Sequence, residues 1–196
     1  IRASDWSSDV CSSDLDAITM IKERRSVRKY KDEKVDRETM REIVDIARWA
    51  PSWVNYQIAR YTLVDDEEII KEIAEHGVNG FVYNIDTLRT AKGVAVLSFV
   101  KGKSGTYDKE YITSKGNSWE VFDAGIACQT FCLAAHAKGV GTCIMGVIDD
   151  KSIAKIVNLP EDETVAALIV YGYEDGEHAA PNKRKDVDEI MRFVDR

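Results

Sequence analysis

The sequence predicts an α+β domain built on a central sheet, and three observations carry that reading. Segments with helical apolar spacing outnumber strand-like runs. The strand-like runs lie between the helices along the chain. Neither an internal repeat nor a Pro/Gly-rich linker divides it. At 196 residues one compact unit can bury about 70% of its unfolded surface. Hydrophobic content of 44% with 31% charged residues supports a packed core and argues against a disordered chain.

The elements follow in order. Asp16 to Arg24 reads as a short helix with Ile18 and Ile21 on its inner face. Asp36 is the expected N-cap of a second helix carrying Met40, Ile43, Val44, Ala47 and Ala50, which Pro51 ends. "RYTLV" (60–64) is strand-like, and "DDEEIIKEIAEHG" (65–77) is a capped helix ending at Gly77. No clear period runs from there to Lys92, after which "GVAVLSFV" (93–100) reads as a buried strand. The polar loop 101–116 leads into the most apolar helix, about Ser118 to Lys138, closed by Gly139. A strand near Gly141 to Val147, a helix from Asp150 to Val157 and the strand "TVAALIVYGY" (164–173) complete the core. An amphipathic helix is expected from Asp186 to Val194.

The first fifteen residues stand apart, so the expected division is a tail over 1–15 and one domain over 16–196. "SSDVCSSDL" (7–15) repeats Ser-Ser-Asp without any period and resembles translated sequencing-adapter read-through. The alternative is a flexible native tail; on either reading it carries no chemistry, and Cys11 goes with it. The other cysteines, Cys128, Cys132 and Cys143, form no disulfide framework, which fits reduced thiols in a cytoplasmic setting. A formal charge of -7 argues against a nucleic-acid or anionic-membrane partner. No apolar run reaches the ~18 residues of a membrane helix.

Against that acidic background, "RRSVRKY" (24–30) packs four cations into seven residues. Guanidinium forks bind phosphate oxygens bidentately and a serine hydroxyl adds a donor, although a basic surface turn accounts equally for the stretch alone. "PNKRK" (181–185) is a second basic cluster, able to meet the first around one phosphate or to be a solvated tail. "APSWVNYQ" (50–57) offers hydroxyl and amide groups without an acid or base, a set suited to a polar heterocycle. Its simpler reading is a helix-ending loop with Trp53 covering apolar surface. Cys128, Cys132 and His136 fall at helical spacing, but ~12 Å separates the outer two, too far for one metal ion. Buried cysteines packing as small hydrophobes account for them better. "GVG" (139–141) lacks the Rossmann spacing, and no Walker motif or G-x-S-x-G elbow is present.

Together, "RRSVRKY", "APSWVN", "GIACQTFCLAAHAKGVGTC" (125–143) and a late "KRK" (183–185) resemble the nitroreductase family of flavin enzymes, in order and spacing, from Asp16 to Arg196. The resemblance implies a mostly antiparallel sheet flanked by helices in an intertwined homodimer, with FMN bound at the subunit interface and NADH or NADPH as reductant. It places Arg24, Arg25, Ser26 and Arg184, helped by Lys183, on the FMN phosphate, and Arg28 at the pyrimidine edge of the ring. Pro51, Ser52, Trp53 and Asn55 would approach from the second subunit. Asn84 would bond the pyrimidine ring, and the backbone of Ile144, Met145 and Gly146 would face the flavin N5 and O4. Flavin N5 is then the reactive atom, and neither a catalytic side chain nor a metal is expected. The implied reaction is ping-pong hydride transfer to nitroaromatics, quinones or related small acceptors.

Two departures from the family pattern bear on the pocket. Trp53 and Ile58 replace the small residue and the proline common there, and Thr87 stands where some members place a lysine. The alternatives are a specialised reductase of the same fold, such as an aromatic dehalogenase or an enoate reductase, or a flavin-binding protein without turnover.

Overall fold

The computed structural model describes residues 16–195. The expectations for residues 1–15, Cys11 included, lie outside that range.

Seven helices and six strands are found among the described residues: α1 Ala17–Glu23, α2 Arg37–Ala47, β1 Ala59–Val64, α3 Glu67–His76, α4 Val82–Thr90, β2 Gly93–Val100, β3 Thr106–Tyr107, β4 Glu110–Tyr111, α5 Ser118–Ala137, β5 Gly141–Met145, α6 Asp150–Ile156, β6 Glu163–Gly172 and α7 Val187–Ile190. The main sheet runs β1-β2-β6-β5, and every neighbouring pair is antiparallel. β2 lies at its centre and is buried along nearly its whole length.

Alternation along β2 divides the core into two layers. Ala95, Leu97 and Phe99 pack with Met40 and Ile43 of α2 and Cys128, Phe131 and Cys132 of α5. Val94 and Val96 face the opposite layer, with Ile70 and Ile73 of α3, Leu88 of α4 and Ile153 of α6. Cys128 and Cys132 are thus core residues, as their apolar neighbours suggested.

The caps follow the sequence. Asp36 accepts from the Thr39 N–H (2.8 Å) and Asp66 from the Glu68 N–H (2.9 Å), and Gly77 closes α3 by donating to the Ile73 carbonyl (2.7 Å).

Four expectations are corrected. The half-buried side of α1 is Thr19, Met20 and Arg24, whereas Ile18 and Ile21 are exposed, with no described residue packed over that face. α2 ends at Ala47, short of Ala50 and Pro51. The aperiodic stretch before Lys92 contains α4, which has no side-chain cap and buries only Thr87 and Leu88, so its period is faint in the sequence. The C-terminal helix is only Val187–Ile190, opened by a capping box from Asp186 and Glu189, and its apolar residues are exposed. The 101–116 segment also holds more order than a loop. β3 and β4 form a hairpin whose turn residues Asp108 and Lys109 both have positive φ, a left-handed pair that the missing glycine had concealed.

Candidate functional site

The arginine cluster is strapped to the edge of the sheet. Ser26 makes a parallel bridge with Thr142 of β5, and the Val27 N–H donates to the Thr142 carbonyl (2.9 Å). Val27 and Tyr30 point inward and are buried. The Tyr30 hydroxyl donates to the carbonyls of Val27 (2.7 Å) and Val170 (3.2 Å), and burial pushes its phenol far above the ordinary range, so it stays a neutral donor. Two glycines permit this approach. A Cβ on Gly141 would sit 2.7 Å from Val27, and one on Gly172 would sit 2.9 Å from Tyr30. With Val27 and Tyr30 used as anchors, Ser26 and Arg28 are left exposed and Arg24 and Arg25 half-buried.

The arginines differ in what they already hold. Arg25 donates to the carbonyls of Lys22 (2.6 Å), Arg24 (3.0 Å) and Ala179 (3.0 Å), so it caps the end of α1 and fastens the C-terminal segment. Among the described residues, Arg28 donates only to the Ser26 carbonyl (3.1 Å). Lys29 pairs with Asp175 at 2.9 Å on the surface. Lys183 and Arg184 are exposed, and Arg184 bonds only its neighbour, the Asn182 carbonyl (3.3 Å). The Arg25–Ala179 bond nevertheless sets the start of this basic tail beside the cluster, and four residues of extended chain reach at most ~14 Å.

Asn84 comes to the far end of β5, where its side-chain amide donates to the Val147 carbonyl (3.0 Å). β5 is an edge strand; beyond the bridge at Thr142 no further strand pairs its outer edge among the described residues. Ile144 is half exposed, Met145 is buried and Gly146 is exposed. The edge from Thr142 to Gly146 spans about 13 Å, with cations at one end and Asn84 at the other. Thr87, in the adjacent turn of α4, spends its hydroxyl on the Tyr83 carbonyl (2.9 Å).

Pro51, Ser52, Trp53 and Asn55 lie elsewhere. Pro51 and Ser52 line a cavity of about 290 Å³ with Arg48, Gln57, Asp123 and Ala127. Arg24 and Arg25 line a different one, of about 300 Å³, with His136, Glu174 and His178. The two groups of residues therefore line separate cavities of one chain.

The 52–57 loop is held under strain. Val54, Asn55 and Gln57 have φ of 46°, 55° and 49°, a left-handed conformation that is unusual for β-branched Val54. The loop is pinned by the Trp53 N–H donating to Asp123 (2.9 Å), the Gln57 N–H donating to Ser52 Oγ (2.8 Å) and the Trp53 indole donating to the Thr106 carbonyl (3.2 Å). Trp53 also packs against Trp119 at 5.1 Å. Val54→Gly should therefore stabilise the protein by about 1 kcal/mol, read as a higher midpoint in urea unfolding; a lower midpoint would show that the conformation costs nothing.

Two residues of the pinning went unread in the sequence. Asp123 and Glu120 are buried acids on α5. Asp123 also accepts from the Ser104 hydroxyl (2.5 Å), while Glu120 accepts from the Gly102 N–H (2.5 Å) and the Tyr111 hydroxyl (3.1 Å). The available signal was a pair of acids in an otherwise apolar helix, which must find buried partners.

The nitroreductase family model matches residues 21–173, and the chain belongs to the nitroreductase family. It is 30% identical to an FMN reductase [NAD(P)H] of Bacillus subtilis, over 81% of this chain and 66% of that protein. It is 25% identical to an iodotyrosine deiodinase of Thermotoga neapolitana, over 80% of this chain and 87% of that one. Among solved structures, an FMN-dependent nitroreductase from Clostridium difficile superposes with a TM-score of 0.72 at 29% identity, covering 90% of this chain and 98% of that one. Among the described residues, no helix is long and apolar enough to cross a membrane.

Proposed function

We propose that this protein is an FMN-dependent NAD(P)H oxidoreductase acting on small electron acceptors, nitroaromatics and quinones among them. The observation that carries this reading is the β5 edge, where an exposed arginine-serine cluster at one end and Asn84 beside the Ile144–Gly146 backbone at the other match a phosphate and a polar ring joined by a flexible chain. When bound there, FMN supplies the two-electron hydride chemistry, taken from reduced nicotinamide and passed to a second molecule in alternation.

The protein's own residues bind and orient. Arg24 and Ser26 take the phosphate, with Lys183 and Arg184 approaching from the tail. Arg25, whose guanidinium is engaged by three carbonyls, contributes charge and holds the tail in place. Arg28, with one local bond, is free to place a cation at the pyrimidine edge. Asn84 and the edge-strand amides of Ile144, Met145 and Gly146 hold the ring in position. Anaerobic addition of NADH to FMN-loaded protein should bleach the absorbance near ~450 nm; a spectrum that does not change would favour a flavin-binding protein without turnover.

The second half-site, Pro51, Ser52, Trp53 and Asn55, reaches the flavin from a second copy of this chain. Supporting the homodimer, α5 leaves Val121 and Phe122 exposed and α1 leaves Ile18 and Ile21 exposed, an apolar surface a stable monomer seldom presents. Phe122→Glu should give a monomer by light scattering that binds FMN at least about tenfold more weakly. A dimer of unchanged affinity would place the interface elsewhere.

One observation favours a specialised acceptor over a broad one. The β3–β4 hairpin is clamped to α5 by Glu120 and Asp123 and carries the Trp53 indole, so the 101–116 segment forms a shaped wall. A halogenated phenol turned over faster than nitroaromatics and quinones would select reductive dehalogenation.

A further inference from the structure

The end of α1 leaves last-turn carbonyls without helical partners, and two cations collect them. Arg25 takes those of Lys22 and Arg24, and His178 takes that of Glu23, with Nε2 to the carbonyl oxygen at 2.9 Å. The other ring nitrogen, Nδ1, lies 2.7 Å from the Glu174 carboxylate. A carbonyl oxygen and an ionised carboxylate only accept, so both nitrogens of His178 must carry protons. The ring is therefore an imidazolium bridging Glu174, at the exit of β6, to the C-terminus of α1.

The surroundings agree with a charge at that place. His136 of α5 lies face to face with His178, centroids 6.2 Å apart, and its own Nε2 is buried without a partner among the described residues. Burial, and then the neighbouring His178 cation, lower the pKa of His136, so it remains neutral. Glu23, Arg24 and Arg25 from the end of α1 and Glu174 complete the charged groups around the pair. His178 is raised from its ordinary value by the Glu174 hydrogen bond first and the Glu23 carbonyl second.

We propose that His178 is the positioning residue of the flavin phosphate site: as the imidazolium it holds the start of the C-terminal tail against α1, and so delivers Lys183 and Arg184 to the phosphate beside Arg24 and Ser26. The proposal rests on the FMN reading given above. Ala179, next in sequence, is bound by Arg25, so the tail has two fastenings, and only the one at His178 depends on a group that can give up its proton. Because the folded-state pKa is raised, the His178 fastening is complete below the ordinary value of about 6.5 and is lost as pH rises through the raised value. The proton that leaves is the one on Nε2, because Nδ1 faces the stronger acceptor; the Nε2 lone pair then faces the Glu23 carbonyl, the tie to α1 is lost, and the tail is held there by Arg25 alone.

The test compares FMN affinity of the wild-type, His178→Ala and His178→Arg proteins at pH 6 and pH 9, with riboflavin as the probe that lacks a phosphate. Comparing variants at each pH cancels the ionisation of the phosphate itself. Wild type should bind FMN about tenfold more tightly than His178→Ala at pH 6, the cost of one charge-assisted bond, and equally at pH 9. His178→Arg should keep the advantage at both pH values, and riboflavin should not distinguish the three. Equal affinities at pH 6, or an advantage of wild type that persists at pH 9, would overturn the proposal. If wild type binds no FMN at any pH, the flavin reading itself is overturned. The latch is then judged on the flavin-free protein, where hydrogen-exchange protection over residues 177–185 must fall as His178 loses its proton; unchanged protection would overturn the latch.

Discussion

Arg24→Ala combined with Ser26→Ala should strip FMN from the protein on a desalting column. The two side chains offer charged and hydroxyl donors at the point where the chain is bound to β5 by the Ser26–Thr142 bridge, so they are held in place before the phosphate arrives. Each charge-assisted bond to a phosphate contributes about 1.5–3 kcal/mol, so loss of both donors should weaken FMN at least about a hundredfold. Folding should survive, because the anchors of the strap are Val27 and Tyr30, which are untouched. Riboflavin binding is the control and should change little. Full retention of the yellow colour by the double variant would remove the phosphate role from this cluster.

Removing the Asp123 carboxylate should cost the most stability. Its Oδ2 accepts from the Trp53 N–H and the Ser104 hydroxyl inside a nearly closed site. In Asp123→Ala both donors are stranded in the interior, and a buried donor left without a partner costs about 1–3 kcal/mol. A loss of about 3 kcal/mol is expected in urea unfolding. The Trp53 loop, strained at Val54, should relax with it, which tryptophan emission would report as a red shift. Stability within about 0.5 kcal/mol of wild type would mean that the hairpin and loop are held by the Trp53–Trp119 packing instead.

These two variants address different kinds of information. The arginine-serine cluster is legible in the sequence because four cations in seven residues of an acidic chain need a reason, and the downstream motifs supply one. The role of Asp123 is not legible, since a carboxylate on a helix gives no hint of which loop, seventy residues earlier, it will hold. The same holds for His178: as a lone histidine in a polar tail it carries no signal until folding brings the last carbonyl of α1 and Glu174 to its two nitrogens.

Local order was legible wherever one residue type determines it. Aspartate caps, the continuous apolar run of "GVAVLSFV" and the apolar content of α5 fix their elements by hydrogen-bonding chemistry and burial over a few residues. It failed where the pattern was weak, as in uncapped α4, or where the apolar face has no partner among the described residues, as in α1 and the short α7.

By itself, then, the sequence determined the α+β class and most element boundaries, because propensity, capping and periodicity are local. Only the tertiary structure decided that "RRSVRKY" lies along β5 with its cations outward, that Arg25 caps a helix while Arg28 stays nearly free, and that Pro51 and Ser52 line a different cavity from Arg24 and Arg25. The reason is physical. Which donors are already engaged, and which remain for a ligand, depends on the acceptors that folding brings within about 3 Å, and those come from parts of the chain far apart in sequence.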